Sequence, residues 1–292
     1  MNRRPIAQVA AEWSGLSFQR QSLSPDPMSY NPQYGTQDAF DLPEIRVLAL
    51  TGRDAIAFAQ SQFMNDVAEL VDGDWQWSGW LDPKGRVHAL FALLRRDAEC
   101  VWLVGTADAD ALGAALGRFV FRSKVKFEPA AMVARGRLAN PHAAIGAHAA
   151  SGPDGVELDL SGDAGARTLL LEAGHPVGSA NPGKASEWWA LDIAHGWPAL
   201  PGVQLGAWTP QQLSLQRLSA FSVKKGCYPG QEIVARTHFL GRAKRGMALL
   251  SVDAPPGAML TDAAGRDTAQ VVTSAGGASL AVVPLEPSDL QL

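Results

Sequence analysis

Cys227 is one of only two cysteines in this 292-residue chain, and it follows Lys224-Lys225-Gly226 directly. Tyr228-Pro229-Gly230 comes next, and then a segment at helical spacing, Gln231-Glu232-Ile233-Val234-Ala235-Arg236. Positive charge before a thiol and a helix N-terminus after it both favour thiolate. The run therefore predicts a lowered pKa and raised reactivity for Cys227, with Lys224 and Lys225 holding the anion. Gly226 and Gly230 permit backbone angles closed to other residues, and Pro229-Gly230 signals a turn, so the sulfur is expected in a tight loop. The competing reading is a free cysteine packed as a small hydrophobe. The paired lysines and flanking glycines weigh against it.

Other chemistry-bearing patterns fail on inspection. Gly178-Ser179-Ala180-Asn181-Pro182-Gly183-Lys184-Ala185 nearly matches a phosphate-binding loop. Ala185, however, has no hydroxyl for magnesium, and Pro182 removes an N–H from the cradle. The stretch reads as the turn into the helix that follows. The six histidines show no metal-ligand spacing with either cysteine, and no metal site is expected. Neither a nucleophile elbow nor a dinucleotide-binding glycine pattern after a strand is present.

The chemistry must be positioned by a sizeable fold, since a chain of this length buries a large core. With 47% hydrophobic residues, 18% charged residues and net charge −4, the composition argues against a protein coated by nucleic acid, while leaving room for a local basic patch. Two cysteines make no disulfide framework and fit a reducing cytosol. No apolar run is long enough to span a bilayer, and Gln8 and Glu12 interrupt any signal-like stretch after Met1-Asn2-Arg3-Arg4.

Residues 14–42 read as loop. A buried strand is expected over Ile45–Leu50, then a helix capped at Thr51 and running to about Phe63. Trp75–Leu81 and Val87–Leu94 form a predicted hairpin around Asp82-Pro83-Lys84-Gly85. Cys100–Val104 reads as a strand with its cysteine in the core, and Asp108–Phe121 as a helix turning Leu112, Leu116 and Phe119 inward. The stretch from Pro129 to Gly165 has no clear pattern. Thr168–Glu172 is an expected strand and Glu187–Ala194 a helix opened by Ser186, dense in tryptophan. Beyond Arg245, short strands and turns predict a small β-module. The order of elements points to α+β rather than a doubly wound sheet.

The run Lys225-Gly226-Cys227-Tyr228-Pro229-Gly230-Gln231-Glu232, with Arg236 four residues on, resembles the signature of the folate-binding YgfZ family, relatives of the glycine-cleavage T-protein (aminomethyltransferase). Thr51–Asp54, Gln60–Gln62, Asn65–Val67, Asp82–Arg86, Trp188–Pro198, Thr209–Gln216 and Gly241–Arg245 extend the likeness over residues 45–250. The resemblance implies an α+β, aminomethyltransferase-like folate-binding region of two intertwined subdomains over residues 1–240. It implies a small C-terminal β-barrel over 241–292, with all parts arranged around a central hole.

It also implies tetrahydrofolate (or a folate derivative) as cofactor, iron–sulfur client enzymes as partners, and indirect support of tRNA modification, without membrane or stable nucleic-acid binding. Trp188 matches a tryptophan that the family uses against folate, and Tyr228, Gln231 and Arg236 are the accompanying candidates. Gln231 and Arg236 have two open roles, anchoring the loop or meeting folate carboxylates. Glu232 has the spacing to pair with Arg236. For Cys227 the open roles are nucleophile, persulfide carrier, transient iron–sulfur ligand and redox partner. One departure bears on activity: T-proteins carry paired aspartates after the hairpin glycine, whereas this chain reads Gly85-Arg86-Val87-His88-Ala89. The resemblance thus leaves three readings, an accessory factor using Cys227, a one-carbon transferase, and a non-catalytic folate-binding scaffold.

Overall fold

The computed structural model describes residues 30, 38–174, 180–241, 243–262 and 265–285. In chain order the elements are β1 (Phe40–Asp41), β2 (Arg46–Thr51), α1 (Ala55–Gln62), β3 (Trp75–Leu81), β4 (Val87–Asp97), β5 (Cys100–Gly105), α2 (Ala109–Gly117), β6 (Lys126–Pro129) and β7 (Met132–Arg137). Then come β8 (Ala150–Gly152), β9 (Gly155–Asp159), β10 (Thr168–Ala173), α3 (Pro182–His195), α4 (Gln231–Phe239), β11 (Arg245–Leu250), β12 (Met259–Thr261), β13 (Asp267–Ala275) and β14 (Ala278–Pro284). Most of the 14–42 loop lies outside the described residues, as do residues 1–4, His175, Gly178, Ser179 and Arg242.

Two five-stranded antiparallel sheets, in the orders β3-β4-β5-β2-β6 and β1-β7-β10-β9-β8, make the body of the molecule. The run Ala89–Leu94 is buried without alternation because β4 lies in the middle layer of three. Ala89, Phe91 and Leu93 pack with Leu48, Phe58 and Leu112 beneath α1 and α2. Ala92 and Leu94 turn the other way, into the core shared with Phe40, Val156 and Trp188. Each such Leu or Phe contributes about 1.5–3 kcal/mol by leaving water. Both faces of this strand are therefore stabilised.

A third sheet, β11-β14-β13-β12, follows in the C-terminal part. Among the described residues it is an open four-stranded sheet rather than the closed barrel that the resemblance implies. Its Met247, Val272, Leu280 and Val282 share one core with Leu81, Val87, Leu213, Tyr228 and Val234. The cysteine loop is thereby sandwiched between the β3–β4 hairpin and this sheet.

Several boundaries differ from expectation for local reasons. Thr51 does not cap α1; Asp54 is the N-cap residue, and its carboxylate makes no capping bond. It accepts instead from the Lys124 amide at 2.6 Å. α2 stops at Gly117, and Phe119 is 39% exposed rather than turned inward. α3 begins four residues before Ser186, because Asn181 caps it through the Lys184 amide and Pro182 occupies the first turn, where a missing N–H costs nothing. The described part of the phosphate-loop look-alike is thus a helix start. The patternless stretch from 129 to 165 supplies β7, β8 and β9. No helix among the described residues is long and apolar enough to cross a membrane.

Candidate functional site

Cys227 is exposed, and the loop under it is fastened at every turn. The Ser222 hydroxyl accepts from the amides of both Lys224 and Lys225 at 3.2 Å. The buried Tyr228 hydroxyl donates to the Ser222 carbonyl at 3.1 Å, and burial pushes its pKa up. Gln231 donates its side-chain amide to the Lys225 carbonyl at 2.9 Å, closing the loop from the first residue of α4. Gln211 donates to the Val234 carbonyl at 2.9 Å, pinning that helix from below.

Lys225 does not hold the thiolate. Its ammonium donates to the carbonyls of Gln60 (2.6 Å), Phe63 (2.6 Å) and Asn65 (2.9 Å), at the C-terminal end of α1. Carbonyls left unsatisfied at a helix end attract a cation, and here the cation arrives from residues 160 or more away in sequence. Burial lowers its pKa to about 8, with Asp66 opposing, so the ammonium form persists at neutral pH. The loop is in effect bolted to α1. Lys224 remains exposed.

The two glycines of the loop differ. Gly226 is exposed, lies outside the positive-φ set and has open space where a Cβ would stand, so it is not needed for an unusual backbone angle. Gly230 is: its φ is +79°, and a Cβ would come within 2.6 Å of both the Asp82 carbonyl oxygen and the Gly85 Cα. Gly85, at φ +71°, presses in turn against Ile233 and the Gly230 carbonyl. Two glycines, about 145 residues apart, let the β3–β4 turn and the N-terminus of α4 touch backbone to backbone.

Next to that turn lies a cavity of about 700 Å³, bounded by the ends of β3 and β4, by α2, by the segment after α3 and by the C-terminal sheet. Trp80, His88, Ala89, Asp108, Trp189 and Trp197 are among its walls. Trp197 is held by stacking on Trp77 at a centroid distance of 3.8 Å. His88 Nε2 is 3.3 Å from Asp82 Oδ2, while Asp82 Oδ1 accepts from the amides of Lys84 and Arg86. Asp82 therefore touches both compartments, orienting a cavity histidine with its side chain and abutting the cysteine loop with its carbonyl.

The residues expected at the ligand do not converge on this cavity. Trp188 is 1% exposed, with Phe40 edge-on at 6.3 Å and the Arg167 guanidinium 4.9 Å over its ring, so its faces are occupied by the core. Its neighbour Trp189, a hundred degrees around the helix, is the one that lines the cavity. Tyr228 and Gln231 serve the loop. Arg236 pairs with Glu232 at 3.1 Å on the solvent side of α4. The sequence did not single out Trp80, Trp189 or Trp197 as ligand residues, although the tryptophan density around Trp189 and Trp197 was visible.

A mixed antiparallel body with an appended sheet, a fastened loop and a cavity at the junction is an aminomethyltransferase-like architecture. The crystal structure of glycine cleavage system aminomethyltransferase T from Bartonella henselae matches it with a TM-score of 0.63, covering 84% of this chain and 78% of that one at 15% identity, which establishes a shared fold. In sequence, the tRNA-modifying protein YgfZ of Klebsiella pneumoniae (strain 342) is 30% identical over 239 residues, 72% of this chain and 70% of that protein. The chain belongs to the YgfZ family. No protein-family model matches it.

Proposed function

We propose that this protein binds tetrahydrofolate and serves as an accessory factor in assembling or repairing iron–sulfur proteins, thereby supporting tRNA modification, with Cys227 as its functional thiol. The observation that carries this reading is the exposed Cys227 on a loop bolted to α1 and set back to back with the turn that carries His88 into the cavity. The family resemblance supplies folate and the iron–sulfur clients, and the relative's name supplies the link to tRNA.

The cavity fits a folate. Its volume of about 700 Å³ falls within the range of small-molecule sites, and tryptophan walls suit a pterin ring. Trp80, Trp189 and Trp197 would hold the ring, and His88 and Asp108 would meet its polar edge. Tetrahydrofolate, when bound, supplies a reduced pterin able to carry one-carbon units. Ala89 stands in the cavity wall where the resemblance places one of the T-protein aspartates, and the loss of that carboxylate favours an accessory role over aminomethyl transfer. Lys225 positions the thiol through the loop and does not touch it.

Complementation of a deletion strain tests the thiol. Cys227→Ser is expected to lose both an iron–sulfur enzyme activity and a thiolated tRNA; full restoration of both would leave the scaffold reading standing. Folate titration by tryptophan quenching tests the cavity, where Trp189→Ala is expected to weaken binding about tenfold. Undiminished affinity would remove Trp189 from the site. Incubation with tetrahydrofolate and an aminomethyl donor is expected to give no turnover.

A further inference from the structure

Between α2 and β6 the chain runs Arg118-Phe119-Val120-Phe121-Arg122-Ser123-Lys124-Val125-Lys126, four cations and no acidic residue in nine positions. Phe121 is 91% exposed and stacks on no ring among the described residues. Phe119 is already committed, its ring edge-on to Trp80 at 5.8 Å. Arg118, Arg122, Lys124 and Lys126 are exposed, and none forms an ion pair among the described residues.

A fifth cation stands beside them. The Lys124 amide donates to the Asp54 carboxylate, and its carbonyl accepts from the Asp54 amide and presses on Gly52; this places the exposed Arg53, whose Nε lies 3.9 Å from the Asp54 carboxylate, next to the strip. The same contacts fix the backbone under Lys124, so the surface is held in place. Asp54 is engaged there, and Glu128 on β6 marks the acidic edge.

We propose that this strip binds single-stranded RNA, with Phe121 as the stacking platform for a base. Arg53, Arg118, Arg122, Lys124 and Lys126 track the phosphates. The combination of groups selects the partner. Cations alone satisfy any polyanion, but an aromatic ring left in water among them matches a ligand that alternates phosphate with a flat base. With a net charge of −4 over the whole chain, attraction is confined to this patch instead of coating the molecule. The inference stands apart from the folate reading, since none of these residues lines the cavity.

Fluorescence anisotropy of the full chain with a labelled single-stranded RNA of roughly a dozen nucleotides tests it. Affinity should fall with salt, with a log–log slope between about −2 and −3.5 for three to five phosphate contacts. Phe121→Ala should weaken binding about tenfold while leaving that slope unchanged. Arg118→Ala with Arg122→Ala should make the slope shallower by about 1.4. All three side chains are exposed, so unchanged melting curves confirm that the variants fold. Absence of binding at low salt would overturn the proposal. Binding indifferent to Phe121→Ala, or displacement by a short polyglutamate as effective as by unlabelled RNA, would overturn it too, the latter in favour of an acidic peptide.

Discussion

The cysteine loop and the cavity both adjoin one hairpin turn and are built by different means. Around Cys227, Ser222, Lys225, Tyr228 and Gln231 bind one another's main chain within ten residues, while the Lys225 ammonium and the Ser222 amide, which donates to the Met64 carbonyl at 2.8 Å, reach far. The cavity gathers walls from Glu44 to Thr273, mostly apolar faces held by packing. Directional bonds to backbone hold a short loop in one shape and make it intolerant of change. Packed aromatic walls hold a volume and tolerate adjustment. A reactive thiol needs the first kind of support and a flat ligand the second.

The sharpest way to break the contrast is at Gly230. Gly230→Ala forces a Cβ into the Asp82 carbonyl at 2.6 Å with φ at +79°, and no side chain there can move aside. We expect a loss of about 3–5 kcal/mol, read as the shift in urea midpoint, combining backbone strain with overpacking. The matched control, Gly226→Ala, has open space and should cost little. Equal effects would dissolve the distinction between the two glycines.

Acid should act through the helix that carries Trp189. His195, in the last turn of the helix that carries Trp189, has its pKa lowered to about 4 by burial first and Arg167 second. The unfolded chain takes up this proton near pH 6.5 and the folded chain only near 4. The contribution is therefore whole above pH 6.5 and is lost as pH falls through 4, up to about 3 kcal/mol. His195→Gln should flatten stability over that window. Lys225 is protonated in both states there, so Lys225→Met should leave the slope as it is.

Lys225→Met removes the donor from three carbonyls at the end of α1 and is expected to cost about 2 kcal/mol, a smaller loss than at Gly230 because burying an ammonium carries its own penalty. The tie should also show as faster hydrogen exchange in both α1 and the loop; protection lost from the loop alone would sever the proposed link. The smallest effect belongs to Arg236→Ala. Its pairing with Glu232 is well over half exposed on both sides, and its loss should move stability by less than about 0.5 kcal/mol.

The hairpin around Asp82–Gly85 and the helix from Gln231 to Arg236 were both legible because each signal is local, a turn sequence or a helical period. Barrel closure was not, since whether four strands curl into a ring depends on what packs beside them. The same limit applies at the tryptophans. Aromatic density marked the right helix, but Trp188 and Trp189 are adjacent, and nothing in their own sequence says which one faces the core.

By itself the sequence determined that a cysteine would ride a tight glycine-bounded loop at the head of a helix, and that Glu232 and Arg236 would pair, because those relations span only a few residues. Tertiary structure alone decided that Lys225 would turn away from the sulfur to cap α1, and that Gly85 would meet Gly230. It also decided that Trp80, Trp189 and Trp197 would enclose one cavity. The reason is distance along the chain. A buried ammonium goes to the strongest cluster of unsatisfied oxygens that the fold brings near, and residues 160 positions apart become neighbours only once the sheets have packed.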